Sequence, residues 1–357
     1  MRKIDIVAMA SAAIIVLAGL ATIYSIGVTS GEAILARQLL ALFFGLILFL
    51  AAYVPDYRAL SQYARIFYIA VLLALVAVLF WADDVRGSQR WLRVGGFNLQ
   101  PVEFAKIALI LMLSRFFAKK RGEVKNVKVL LHSALFAILP IVLVFLQPDL
   151  GSAILLFGIW FALLLFAPVK PKHIGILFLI MGLIGAAGWF GFLHDYQKQR
   201  IVSFLQPQLD PQGSGYNVRQ AIIAVGSGEI MGRGLGHGYQ SHLKFLPERH
   251  TDFIFASFSE EMGFVGALVL LGAFALLFWR LLKTALRSPD ALGRYICLGV
   301  VALLGAQVTV NVGMNIGLLP VTGITLPLVS YGGSSLAATL FLLGLSQSVY
   351  RRSALTL

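Results

Sequence analysis

The chain has 357 residues, 59% of them hydrophobic and only 13% charged, with a mean hydropathy of +0.86. These values exclude an ordinary soluble protein, which at this length would divide into two domains under charged surfaces. The formal net charge of +13 calls for no nucleic acid, because membrane topology and anionic lipid head groups account for most of it.

Apolar residues come in runs long enough to cross a bilayer, which takes about 20 helical residues for roughly 30 Å of hydrocarbon. Ten spans are expected, at about 6–26, 36–54, 64–81, 102–118, 127–146, 151–167, 174–193, 253–279, 295–319 and 326–350. Stretches such as "IAVLLALVAVLF" are apolar all round instead of alternating, which points to helices and against an outer-membrane barrel. The expected fold is therefore all-α and polytopic, a single membrane domain over 1–357. The first span reads as a retained helix and not as a cleaved leader, since its apolar stretch is long and no small-residue cleavage site stands out. Cys297 is alone within a span, so no disulfide framework is expected. No internal repeat of the kind many transporters carry is evident.

Basic residues set the orientation. With the N-terminus inside, 17 of the 29 Lys and Arg fall in six short inner segments, as the positive-inside rule requires. An even number of spans returns the C-terminus to the cytoplasm, and a large extracytoplasmic loop, about 194–252, joins spans seven and eight. Two cations, Lys106 and Arg115, lie within spans. Nine of the rest lie in two outer loops: Arg86, Arg90 and Arg93, then Lys198, Arg200, Arg219, Arg233, Lys244 and Arg249. Three arginines in the short "VRGSQRWLRVGGF" work against its own export. They are either solvated charges balanced by Asp83 and Asp84, or a site for an anionic group, where Arg forks suit phosphate.

The outer side also gathers unusual polar residues. In "QPVEFAKIALIL", Glu103 and Lys106 stand three apart on one helical face, either a structural ion pair or a pair that positions groups around a cavity. Asp149 in "QPDLGSA" either caps the sixth helix or adds a carboxylate to an outer cleft. Asp252 in "FLPERHTDFIF" sits where a polar loop meets an apolar run. It is either a cap or interfacial anchor, or a general base beside cations that hold phosphates. Glu260 and Glu261 lie two turns on, roughly 12–13 Å deeper, as paired buried acids or members of a proton path. "SHLK" lacks the companion motifs of penicillin-binding proteins. "GRGLGHG" follows no strand and does not fit a dinucleotide fingerprint. His237, His242 and His250 have no recognised metal spacing.

"NVGMNIGLLPVTGITLPLVSYGGSS" (311–335) reads as an irregular, polar re-entry into the membrane. Pro320 and Pro327 break helices, Gly332 and Gly333 allow close approach, and Ser330, Ser334 and Ser335 supply hydrogen-bonding groups. This block resembles the signature of the SEDS family (shape, elongation, division and sporulation proteins). "GSQRWL", "QPVEFAK", "QPDLGSA", "GYNVRQAIIAVGSGEIMGRGLG", "FLPERHTDFIF" and "SEEMG" match in order. The resemblance covers nearly the whole chain and is nearest to the elongation branch, the RodA type. It implies polymerisation of lipid II into β(1→4)-linked peptidoglycan on the outer face of a bacterial cytoplasmic membrane, with Asp252 as the catalytic acid–base residue. Trp91, Glu103 and Lys106 match further functional positions. With Arg90, Asp149, Arg200, Lys244, Arg249 and Ser330 they make up the expected substrate-binding set. A class B penicillin-binding protein is the implied partner beside the membrane lipids. No cofactor is evident, and the need for a divalent cation is left open. The rival readings are a lipid II flippase, with Glu103, Lys106, Glu260 and Glu261 along a polar path, and a scaffold without chemistry.

Overall fold

The structure, a computed structural model, describes residues 4–30, 33–81, 90–94, 97–120, 126–187, 190–191, 195–206, 213–242 and 245–353. The helices run in chain order α1 (Ile6–Ser30), α2 (Ile34–Tyr53), α3 (Tyr57–Gln62), α4 (Ala64–Trp81), α5 (Pro101–Lys119), α6 (Val127–Leu146), α7 (Leu150–Leu165), α8 (Pro171–Ala187), α9 (Asp195–Leu205), α10 (Ser214–Ser227), α11 (Tyr239–His242), α12 (Ile254–Arg287), α13 (Ala291–Asn315) and α14 (Gly333–Ser353). Between α4 and α5 an antiparallel hairpin pairs β1 (Leu92–Val94) with β2 (Phe97–Leu99). Among the described residues, α1, α2, α4, α6, α12 and α13 have the length and apolar composition to cross a membrane. Each of the other four expected spans contains a helix. α5 carries Glu103, Lys106 and Arg115, α14 ends on Arg351 and Arg352, and α7 and α8 are shorter.

α5 is the hub. Nearly every residue from Pro101 to Ser114 is buried, the signature of a helix surrounded by others. It packs against α4, α7 and α13, while α2 pairs with α14 and α1 with α12. The faces turned away, such as Leu17, Phe43, Leu73 and Phe264, are apolar and exposed, as surfaces meant for lipid must be.

The two ends of the bundle differ in chemistry. At one end Asp5 pairs with Arg280 at 2.8 Å, Arg58 with Asp290 at 2.5 Å, and Asp56 with Arg352. Arg115 reaches the Ser61 and Gln62 carbonyls there, closing α3 onto α5. The opposite end carries the start of α12, the end of α13 and the hairpin.

α12 is not continuous. Gly263, at φ 67° and ψ −169°, breaks it, so Phe264 and Val265 lose the helical acceptors that the Glu260 and Glu261 carbonyls would have been. The segment after α10 is spliced into the gap. Phe264 N–H donates to the Glu229 carbonyl (2.9 Å) and Val265 N–H to that of Ile230 (3.1 Å), while Arg233 and Gly234 N–H donate to the Glu260 and Glu261 carbonyls (3.0 Å each). The two carboxylates finish the join: Glu260 accepts from Gln240 N–H at 2.8 Å, and Glu261 from Gly236 N–H at 3.2 Å and the Ser25 hydroxyl. A helical N–H or C=O that loses its partner inside a packed protein needs such a replacement. Both acids are buried, and the glycine-rich stretch "GRGLGHG" is the piece they hold.

Gly232 sits at φ 83° with the Glu261 carbonyl where its Cβ would be. Gly232→Ala should therefore lower the unfolding temperature of the purified protein by several degrees, since left-handed strain alone costs on the order of 1–3 kcal/mol. Gly272→Ala in α12, with open space around it, should leave that temperature unchanged or slightly raised.

Candidate active site

The site forms where the α11–α12 connection, the irregular segment after α13 and the hairpin meet. Three successive carbonyls of the "PERHTDF" turn are each taken by a specific donor. Tyr331 N–H bonds the His250 carbonyl at 2.8 Å, the Ser330 hydroxyl bonds that of Thr251 at 2.7 Å, and the Asn311 and Asn315 amides bond that of Asp252 at 3.0 and 3.1 Å. The His250 ring meets Tyr331 edge-on at 5.5 Å. The Ser330 hydroxyl also accepts Leu326 N–H at 2.8 Å, so both of its bonding roles are spent on backbone. Gln38 in α2 grips the same strip, donating to the Ser330 carbonyl and accepting from Gly332 N–H, both at 3.2 Å.

Asp252 itself is half-buried in the turn before α12, and α12 receives no side-chain cap from its N-cap, Phe253. Gly323, at φ 75°, lies against the carboxylate; a Cβ there would be 3.6 Å from Asp252 Oδ2. Burial pushes the Asp252 carboxyl up to about 6; the Arg200 and Arg90 guanidinia pull the other way, and Asp149 adds to the rise. Desolvation penalises the anion, and the cations return only part of that penalty.

Arg90, Asp149 and Arg200 thus share one field with Asp252, although they come from the hairpin approach, the start of α7 and α9. Arg90 is fixed by the Gln147 carbonyl at 3.3 Å and by that of Pro148, and stands 3.7 Å from Asp149 Oδ2. Asp149 caps α7, accepting Ser152 N–H at 3.0 Å and the Ser152 hydroxyl at 2.9 Å. The cap expected of Asp149 is present, and its charge also acts on Asp252. Trp91 is half-buried at the foot of the hairpin, and Arg249 is buried beside the clamped turn. The hairpin is docked through Ser334, which accepts from Gln100 N–H at 3.1 Å and donates to the Asn98 carbonyl at 3.3 Å. Glu103 and Lys106 pair at 2.7 Å in the first turns of α5, both buried. Lys244 lies outside the described residues. Among the described residues no three His, Cys, Asp or Glu side chains gather as metal ligands.

Reading the sequence for charges missed the amides. Gln38, Asn311 and Asn315 organise the turn, and the available signal was an uncharged polar residue inside an apolar span, which is costly unless bonded.

Residues 2–354 match the family model for the FtsW, RodA and SpoVE proteins, described as cell cycle proteins. The chain belongs to this family. It is 40% identical over 306 residues to the peptidoglycan glycosyltransferase MrdB of Escherichia coli K12, covering 85% of this chain and 82% of that one. It is 37% identical over 322 residues to the stage V sporulation protein E of Bacillus subtilis, covering 89% and 87%. Its fold matches a chain of a solved peptidoglycan synthase complex that coordinates polymerization and crosslinking, with TM-score 0.84, 34% identity and 99% of both chains covered. It also matches the rod shape determining protein RodA of Thermus thermophilus, with TM-score 0.72 and 32% identity over 98% of this chain and 97% of that one. The protein is an all-α, multi-span membrane protein of the FtsW/RodA/SpoVE family.

The buried pair offers a check on its own energetics. Lys106→Met or Glu103→Gln alone should destabilise the protein by about 3–5 kcal/mol, because each leaves a buried charge unpaired. The double variant should recover most of that loss in a thermal double-mutant cycle.

Proposed function

We propose that the protein is a peptidoglycan glycosyltransferase that polymerises lipid II, with Asp252 as general base. Similarity to named glycosyltransferases of the family supports the activity, and one observation carries the assignment of the base. Asp252 is a carboxyl with a proton affinity near neutrality, held in a fixed turn and faced by Arg90 and Arg200. A base that titrates near 6 is ionised at neutral pH yet basic enough to accept a proton in the transition state.

The reaction is a single displacement. Asp252 takes the proton of the GlcNAc 4-hydroxyl of one lipid II as that oxygen attacks C1 of MurNAc in the other. The O4–C1 bond forms while the bond from C1 to the pyrophosphate oxygen breaks, and the α-linked donor yields a β(1→4) product by inversion. The lipid diphosphate leaves with its electron pair, and Arg90, Arg200, Arg249 and Lys244 supply the charge that stabilises it. Trp91 and the Glu103–Lys106 pair border the sugar path. Asp149 keeps Arg90 in place as well as contributing to the field, and Ser330 serves by fixing the turn. Glu260 and Glu261, spent on the spliced segment, are poor members of a transport path, which favours an enzyme over a flippase.

The chain is read as one membrane domain over 1–357 in the cytoplasmic membrane, with ten spans and both termini inside. The 194–252 segment and Asp252 lie outside. Charge asymmetry supports this orientation, since the end that carries Arg58, Arg280, Arg287, Arg351 and Arg352 is the one the positive-inside rule assigns to the cytoplasm. Rod elongation is the favoured role, and a class B penicillin-binding protein, a transpeptidase, the favoured partner. The likeness to a polymerization and crosslinking complex supports that partner.

Purified protein given lipid II should make glycan chains, and Asp252→Asn should cut the rate by about 10²–10⁴-fold without unfolding. Lipid II that moves across vesicles without chains would make the protein a transporter instead.

The pH–rate profile tests the proton's place. The rate should fall as pH drops through about 6, because the protonated carboxyl cannot act as base. Arg90→Met removes a cation that favours the anion, so Asp252 should hold its proton to higher pH and the acid limb should move alkaline.

A further inference from the structure

The end of α13 carries two asparagines, Asn311 and Asn315, four residues apart on one face and both fully buried. An amide taken out of water is expensive unless each of its two N–H groups and its oxygen finds a partner. Asn315 uses all three. Its Nδ2 donates to the Asp252 carbonyl at 3.1 Å and to the Asn311 carbonyl at 2.7 Å, and its Oδ1 accepts Ala256 N–H at 3.0 Å. Those partners fix the orientation of the amide, because a carbonyl demands the nitrogen and an N–H demands the oxygen. Asn311 spends its Nδ2 on the Asp252 carbonyl at 3.0 Å and the Ile324 carbonyl at 2.7 Å.

Ala256 is the third residue of α12, and its N–H is one of the first-turn donors that a helix cannot satisfy internally. Phe253 at the N-cap offers no side-chain acceptor, so Asn315 caps α12 from the neighbouring helix. One side chain therefore grips the chain at two points after the Asp252 Cα, at the residue's own carbonyl and at an N–H four residues on, while Ser330 holds the Thr251 carbonyl before it. Asn311 doubles the first grip and ties it to Ile324, next to the Gly323 that lies against Asp252 Oδ2. This leaves the Asp252 peptide no freedom to rotate, and with it the direction of the Cα–Cβ bond.

We propose that Asn315, assisted by Asn311, is a positioning residue of the glycosyl transfer, holding the Asp252 carboxylate at the attacking hydroxyl. The proposal rests on the reading of Asp252 as general base. It assigns the amides no contact with substrate, so their loss should be felt in kcat and not in KM; misplacement by about 1 Å can cost on the order of 10²-fold.

The test uses the full-length protein in lipid nanodiscs, with initial rates of lipid II polymerisation normalised to monodisperse, folded protein. Asn315→Ala should lower kcat by about 10–100-fold and leave KM within twofold. Asn315→Asp keeps the volume and the acceptor for Ala256 N–H but sets an acid against the Asp252 and Asn311 carbonyls, which destabilises the fold; its rate, read on the folded fraction alone, should show the same kcat loss. Asn311→Ala, which leaves the Ala256 cap and one donor on the Asp252 carbonyl, should show a smaller one. If folded Asn315→Asp turns over at the wild-type rate, or loses activity only through KM, the proposal is overturned. Asp252→Asn run alongside separates the two ideas. If it is inactive while the asparagine variants behave as wild type, only the positioning role falls; if it polymerises normally, the general base falls and the positioning role with it.

Discussion

Three carbonyl oxygens in a row, those of His250, Thr251 and Asp252, are bonded by Tyr331, Ser330 and the Asn311–Asn315 pair. The constraint behind this arrangement is the absence of water. A turn placed where apolar helices close around it cannot leave its peptide groups to solvent, so each must be met by the protein. Meeting them recruits the end of α13 and the 316–331 segment, and that segment cannot stay helical and still aim its backbone and side chains at a neighbouring turn. Irregular backbone after α13, with Gly317 at φ 74° and Gly323 at φ 75°, is thus the consequence of building a rigid turn in a dry place.

The same dryness sets the chemistry. Burial makes Asp252 reluctant to ionise, and Arg90 and Arg200 make ionisation affordable again. Neither effect alone suits a base. A solvated aspartate is too weak an acceptor, and one with no cation nearby would keep its proton. In the proposed reaction the cations would have a second use once the sugar is attacked, because the leaving group carries away a diphosphate. Holding Arg90 through the Gln147 and Pro148 carbonyls keeps its charge at a set place before the substrate arrives, which is the economy of a preorganised site.

Much of the fold was legible because bilayer-spanning helices announce themselves by composition. The expected 64–81 and 127–146 are α4 and α6 to the residue. Hydropathy failed where composition and conformation part. Residues 316–319 and 326–332 are apolar enough to be read as the ends of two spans, yet prolines and left-handed glycines keep the 316–332 stretch out of helix, so α13 stops at Asn315 and α14 starts only at Gly333. The supposed loop 194–252 holds α9, α10 and α11, whose apolar faces are too short for a span window to register. The hairpin at 92–99 was missed because three-residue strands carry almost no alternation. At the site, charges were legible and amides were not: Asp252, Arg90, Asp149 and Arg200 stand out in an apolar sequence, whereas Asn315 reads as one polar residue near a helix end.

The break in α12 shows why a membrane enzyme separates the helix that crosses from the helix that presents. Beyond Gly263 the segment from Ile254 to Met262 has no unbroken helical ladder to the rest of α12. It is held instead by Asn315 at its first turn, by the Glu229–Gly234 strip at its last, and by Ser25 of α1 through Glu261. A continuous helix would pass every change of tilt in the bilayer straight to its first residue, and so to Asp252. Here the piece before Gly263 answers to polar partners on α1, on α13 and in the segment after α10. The glycine that costs the helix its continuity leaves the piece before it, and Asp252 at its head, to be held by the asparagines of α13.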